Sequence, residues 1–82
     1  MIYGVFAIKD AKTSFMPCNV DYNDASAIRN FEHAVMAPDS LMRSHPADYT
    51  LYRLGSYDTE TGIIKTSAAP QQIADASSIL SK

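Results

Sequence analysis

Two stretches of the chain share one grammar, and that grammar limits what it can fold into. They read Val5-Phe6-Ala7-Ile8-Lys9-Asp10-Ala11-Lys12-Thr13-Ser14-Phe15-Met16 and Tyr52-Arg53-Leu54-Gly55-Ser56-Tyr57-Asp58-Thr59-Glu60-Thr61-Gly62-Ile63-Ile64. Each is an apolar and aromatic run, then Asp-x-x-Thr-Ser/Gly, then a second apolar run. An Asp side chain closes an Asx-turn, and a small residue at the end of the loop tolerates positive φ. The chain therefore reads as two β-hairpins of similar design, each followed by a helical segment.

In the first hairpin, Ile2 to Lys9 is β-branched and aromatic, and Phe15 to Val20 is its partner. Pro17 cannot donate a ladder hydrogen bond, which marks the second strand as an edge. A loop over Asp10 to Ser14 pairs Lys9 with Phe15. That register puts Ile2, Phe6, Ile8, Met16, Cys18 and Val20 on one apolar face, the expected core face. Tyr3, Val5, Ala7, Lys9, Phe15, Pro17 and Asn19 share the other.

A helix follows. Asn23 suits its N-cap and Asp24 its positive first turn. Ile28, Phe31 and Val35, with Ala27 and Ala34 beside them, form one stripe at helical period. Arg29, Asn30, Glu32 and His33 take the wetter sides. Pro38 ends the helix, because Ala37 before it is pushed out of the α region. Asp39 to Arg43 allows one further turn with Leu41 inward, stopped by Pro46.

The second hairpin runs from Tyr49 to Tyr57 and from Ile63 to Ser67. Pairing Tyr57 with Ile63 places Tyr52, Leu54 and Ile64 on the expected core face. Tyr49, Leu51, Arg53, Tyr57, Ile63 and Lys65 fall on the other. Both sets contain apolar residues, so something is expected to cover the second face as well. Pro70 fits the first turn of a C-terminal helix in which Ile73, Ala76 or Ser77, and Leu80 recur at helical spacing. The order is ββα-ββα. The expected fold class is a compact α+β domain, a mostly antiparallel sheet of two hairpins with one main helix and a C-terminal helix. The 82 residues make one domain, 1–82.

Composition excludes more than it identifies. The lone Cys18 makes no internal disulfide. No apolar run reaches the roughly 20 residues of a membrane span, and no basic n-region marks a signal peptide, so no membrane role is expected. Seven Lys or Arg against nine Asp or Glu give a net charge of −2. That argues against a strongly electrostatic nucleic-acid binder, but not against a few cations gathered on one face. A chain this small gains burial by oligomerising, and a dimer is expected.

Catalytic groupings are missing from the sequence. His33 and His45 stand in no metal-ligand spacing with Cys18 or the acids, so no metal or cofactor is expected. Cys18 reads as a buried inert thiol. Asp10, Asp58 and Glu60 are explained by turns. Neither a phosphate loop nor a dinucleotide fingerprint occurs. The expectation is a protein that is not an enzyme, with no catalytic residues.

What remains is a combination of aromatic and basic residues. Tyr3, Lys9, Phe15, Tyr49, Arg53, Tyr57 and Lys65 would share the sheet face away from the core, with Arg29 on the helix extending the basic stripe or pairing with Glu32 or Asp24. Rings that stack on bases and cations that meet phosphates hold single-stranded nucleic acid in this way. The competing reading packs the same rings under the C-terminal helix or in a dimer interface, where Tyr and Arg are also enriched. On the residues alone, the packing reading is the stronger.

Several motifs carry a family resemblance. Met1-Ile2-Tyr3-Gly4-Val5-Phe6-Ala7-Ile8-Lys9-Asp10, Phe15-Met16-Pro17, Asp24-Ala25-Ser26-Ala27-Ile28-Arg29-Asn30-Phe31, Asp48-Tyr49-Thr50-Leu51-Tyr52-Arg53-Leu54-Gly55-Ser56-Tyr57-Asp58 and Thr61-Gly62 resemble the small nonstructural protein encoded by the fifth open reading frame of gokushoviruses, single-stranded DNA phages of the Microviridae. The resemblance covers roughly residues 1 to 65, and residues 66–82 match no family pattern. It implies a protein of the host bacterial cytoplasm, outside the virion, that binds DNA during genome replication or packaging. It carries over no binding residues. The expected nucleic-acid-binding residues, Tyr3, Lys9, Arg29, Tyr49, Arg53, Tyr57 and Lys65, come from the physical reading, and the expected partner is single-stranded viral DNA. The alternative is a non-enzymatic interaction module that docks on itself, on a capsid or scaffold component, or on a host replication protein, and touches no DNA.

Overall fold

In the computed structural model, which describes residues 1–81, both Asp-led turns close as their chemistry requires. The Asp10 carboxylate accepts from the Lys12 backbone N–H, and its carbonyl accepts from Thr13. Asp58 repeats the device on Glu60, and its carbonyl accepts from Gly62. Gly62 takes φ +74°, the conformation for which a small residue was expected.

The strands β1 (Ile2–Asp10), β2 (Asn19–Asp21), β3 (Tyr49–Asp58) and β4 (Ile64–Asp75) form one antiparallel sheet in the order β2-β1-β3-β4. The two hairpins thus lie side by side, with β1 and β3 central. The α+β class holds.

The details of register depart from the expectation in three places, each where one strand carries extra residues. Lys9 does pair with Phe15, and the Met16 N–H donates to Ile8. After Pro17 the partner strand slips by one residue, so Val20 faces Val5 instead of Gly4. A slip of one residue reverses every side chain that follows. Cys18 is accordingly exposed, not buried. Val20, Met16 and Ile2 are exposed too, and of the expected core face only Phe6 and Ile8 join the core.

The second departure is a bulge in β3. Val5 pairs with Gly55 but Phe6 pairs with Arg53, leaving Leu54 without a partner on β1. Tyr49, Leu51 and Arg53 therefore turn to the side of Phe6, whereas Gly55 and Tyr57 rejoin the side of Tyr52. The expected core choice of Tyr52, Leu54 and Ile64 is overturned: Tyr49 and Leu51 are the buried residues. The hairpin closes with Tyr57 opposite Ile64, one residue from the expected Ile63.

The third departure is at the C-terminus. Residues 64–75 are strand, and the C-terminal helix α3 spans only Ala76–Leu80. Pro70 lies in the edge strand, not in a helix. It falls where β4 leaves the ladder, between Thr66 opposite Gly55 and Gln71 opposite Arg53. A proline is tolerated at such an edge irregularity because no ladder donor is required of it.

The helix α1 (Asp24–Met36) lies across one sheet face. The Asn23 side chain accepts from the Ser26 N–H, and Ala37 leaves the helix with ψ 134° before Pro38, both as expected. Its buried residues, Ala27, Phe31 and Val35, meet Phe6, Tyr49 and Leu51 of the sheet and Ala76 and Ile79 of α3. Burying a side chain such as Phe31 or Val35 stabilises the fold by roughly 1.5–3 kcal/mol. A short helix α2 (Leu41–Ser44), capped by Ser40, and a 3-10 turn over Pro46–Asp48 lead into β3. Leu41 was expected inward but is exposed, and Met42 packs on the core in its place. No helix of the described residues is long and apolar enough to cross a membrane.

Candidate nucleic-acid interface

All three helices meet the core on the Phe6 side of the sheet, so the Tyr3 side carries its own cover. Val5 and Ala7 lie on that side at 7% and 2% exposure. Both are small, and aromatic rings at the sheet corners enclose them. Tyr3 meets Tyr22 edge to face, with centroids 5.4 Å apart at 81°. Phe15 meets Tyr52 in the same way at 5.3 Å and 71°. Tyr52 stands opposite Ala7 in the ladder, and Tyr57 stands opposite Tyr3. The Lys9 ammonium lies 5.4 Å from the Phe15 ring centroid, a cation–π distance.

Of the residues expected to bind nucleic acid, Tyr3, Lys9 and Tyr57 come together on this face. Tyr49 does not: it is buried under the helices at 8% exposure. Burial, with the Asp10 carboxylate beside it, raises its hydroxyl above the ordinary tyrosine value. Arg53 also lies on the helix side, where its guanidinium stacks over Phe6 and its Nη1 donates to Asp24. Asp24, a possible partner for Arg29 on the sequence, thus serves Arg53. Gly4 makes room for that arrangement, since a Cβ there would meet Phe6 Cζ at 2.4 Å and Arg53 Nη1 at 2.9 Å. Lys65 pairs with Ser56 on the Phe6 side of the sheet and lines a hollow with Ile2 and Ile63. Arg29 is exposed on α1 and acts on Asp21.

Two rings of the face were missed. Tyr52 was expected in the core because the regular alternation ignores the bulge at Leu54, whose one sequence mark is the isolated Gly55 beside it. Tyr22 precedes the N-cap Asn23, in a stretch that reads only as a linker. Its ring is the most exposed of the group, at 65%.

The same pleat that gathers the rings sends three of the acids to the other side. Asp21 pairs with Gly4 and Asp58 with Ile2, which places both on the helix side with Asp10. Burial pushes the Asp21 carboxyl up. Hydrogen bonds from Ser26, the Tyr22 N–H and Asn30, together with the Arg29 charge, outweigh that and hold it below its ordinary value. Along β1, Lys9 is the one charged residue on the ring-bearing face. Chemically, the surface offers aromatic stacking with a single cation beside it.

Residues 3–79 match the sequence profile of the family described as the phage ORF5 protein. The chain belongs to that family. Comparison with curated proteins and with solved structures returns no match. The phage ORF5 match runs from Tyr3 in β1 to Ile79 in α3 and takes in the whole open face. It also includes residues 66–79, which the gokushovirus resemblance left out, so β4 and α3 are part of the family's sequence pattern.

Proposed function

We propose that this phage protein is a nonstructural single-stranded-DNA-binding protein of a gokushovirus-type microvirus. It acts in the host cytoplasm during genome replication or packaging. The observation that carries this reading is the helix-free sheet face, which carries Tyr3, Tyr22 and Tyr57 at one end and Phe15, Tyr52 and Lys9 at the other, while the carboxylates of Asp10, Asp21 and Asp58 lie on the opposite side. Stacking on such rings is tolerant of base identity and is worth about 1–3 kcal/mol per base. The protein is then a coat or marker of single strands, not a reader of sequence. The test is fluorescence anisotropy of a labelled single-stranded oligonucleotide at low and moderate salt, beside a duplex of equal length. Saturable binding that prefers the single strand supports the proposal, and no binding at low salt sinks it.

A second reading rests on a different observation. At the tip of the β3–β4 hairpin, Met1, Ile2, Ile63 and Ile64 are each more than half exposed. Exposed apolar surface marks contacts, and a protein partner there, whether a second copy, a capsid or scaffold component, or a host replication factor, needs no DNA. Sedimentation of the purified protein, and of an Ile63→Asp variant, separates self-association through the tip from DNA binding through the sheet.

A further inference from the structure

We infer that the open face is a two-station stacking ledge, which grips a single strand by two bases that are not neighbours in its sequence. The inference rests on the single-strand reading above and specifies how the strand is held. The rings are not spread evenly. They form one pair at Tyr3 and Tyr22 and another at Phe15 and Tyr52, with the small residues Val5 and Ala7 between them.

Tyr3 and Ala7, the β1 residues beneath the two pairs, are separated by about 13 Å at a strand rise of about 3.3 Å per residue. Adjacent stacked bases advance only about 3.4 Å per step. The two pairs therefore cannot take adjacent bases that remain stacked on each other. The strand between them must be drawn over Val5 and Ala7, which are buried and present almost no surface to a base. Each pair is edge to face, so neither buries its two rings flat against each other. The Tyr22 and Phe15 rings are 65% and 39% exposed, so each station presents ring surface to solvent. The Lys9 ammonium beside Phe15 places the phosphate contact at the second station. The first station has no strand lysine or arginine: Tyr3 and Tyr22 border a hollow with Val20 and Asp21, and the Asp21 side chain, turned to the helix side, accepts from Asn30.

The experiment is a length series of labelled oligothymidylates, from a dinucleotide to about twelve nucleotides, a range that brackets common single-strand site sizes. It is run on the wild type and on Tyr22→Ala and Phe15→Ala. Urea midpoints confirm that both variants are folded. The expected wild-type curve is weak at the dinucleotide, which fills one station, and rises by roughly tenfold or more once both are spanned. Each variant should lose that rise while changing dinucleotide affinity no more than about twofold. An oligomer with abasic residues between two terminal bases should keep most of the affinity.

Affinity that grows smoothly with length, with each variant losing the same factor at every length, overturns the two-station arrangement and leaves single-strand binding standing. Absence of wild-type binding at every length overturns the parent reading, and the two stations with it.

Discussion

Arg53 reaches from the centre of β3 to the first turn of α1, where its Nη1 donates to the carboxylate of Asp24. Its guanidinium crosses the Phe6 ring at 5.5 Å on the way. The Leu54 bulge makes this possible by turning Arg53 to the helix side. Arg53 is therefore a structural residue that ties helix to sheet.

Arg53→Ala should lower stability and leave DNA binding unchanged. The ion pair is partly exposed, 26% and 48% for its two side chains, so its own contribution is small. Cation–π contact and the packed stem of Arg53 add to it. Together the loss should be about 1–2 kcal/mol, read from urea unfolding. A double-mutant cycle with Asp24→Ala isolates the pair. A loss of oligonucleotide affinity with unchanged stability contradicts this placement.

Gly55 should be the least replaceable glycine. A Cβ there would lie 2.1 Å from the Lys65 carbonyl oxygen, a backbone atom that cannot step aside without moving β4. Gly55→Ala should cost about 1–3 kcal/mol or more by overpacking. Gly62→Ala meets no atom within 4 Å, and its cost is only that of φ +74°, about 1–2 kcal/mol for a left-handed L-residue. Hydrogen exchange separates the two effects: Gly55→Ala should release β4 amides, whereas Gly62→Ala should loosen only the turn.

Local chemistry was legible in the sequence, and pairing across strands was not. The Asp10 and Asp58 turns, the Asn23 cap, the Ala37–Pro38 stop and the Ala27, Phe31, Val35 stripe each depend on neighbours within a few residues. The slip after Pro17 and the bulge at Leu54 depend on which strand lies alongside: Pro17 and Gly55 hint at irregularity there, but neither says how many residues are displaced or which way. Those two irregularities decided the site. Tyr3 and Lys9 are joined by strand alternation alone, so their shared face was readable. Tyr57 reached that face only because the bulge reversed the alternation, and the same reversal removed Tyr49 and Arg53. Read by composition, the second half of β4, from Pro70 on, looks helical, since proline suits a helix first turn and Ile73 and Ala76 follow at helical spacing. Pairing with β3 overrides that preference.

The Asp75 cap should give α3 an acid-labile step. Hydrogen bonds from Ser78, side chain and backbone, hold the Asp75 carboxyl below its ordinary value. A carboxyl whose folded pKa is depressed stabilises fully above its unfolded pKa, about 3.9, and the contribution is lost as pH falls through the lower folded value. The Ser78 amide resonance should therefore move only as pH falls below about 4, the ordinary carboxylate value. Asn also caps helices but does not titrate. Asp75→Asn should keep α3 formed and abolish that local step, even though Asp21 continues to titrate with the same sign. A Ser78 shift that persists in Asp75→Asn rules the cap out as its origin.

Salt dependence decides which side of the sheet meets DNA. Each phosphate neutralised on a single strand contributes about −0.7 to the slope of log K against log salt. The open face offers Lys9, with Lys12 in the adjoining turn, whereas Arg29, Arg53 and Lys65 lie elsewhere. The slope should therefore be shallow, about −0.7 to −1.4. Lys9→Ala should remove about 0.7 of it, and Tyr22→Ala should lower affinity while leaving the slope unchanged, because stacking releases no counterion. A slope steeper than about −3 needs more cations than this face holds. It would move the contact to the helix side, and with it the role of every ring between Tyr3 and Tyr57.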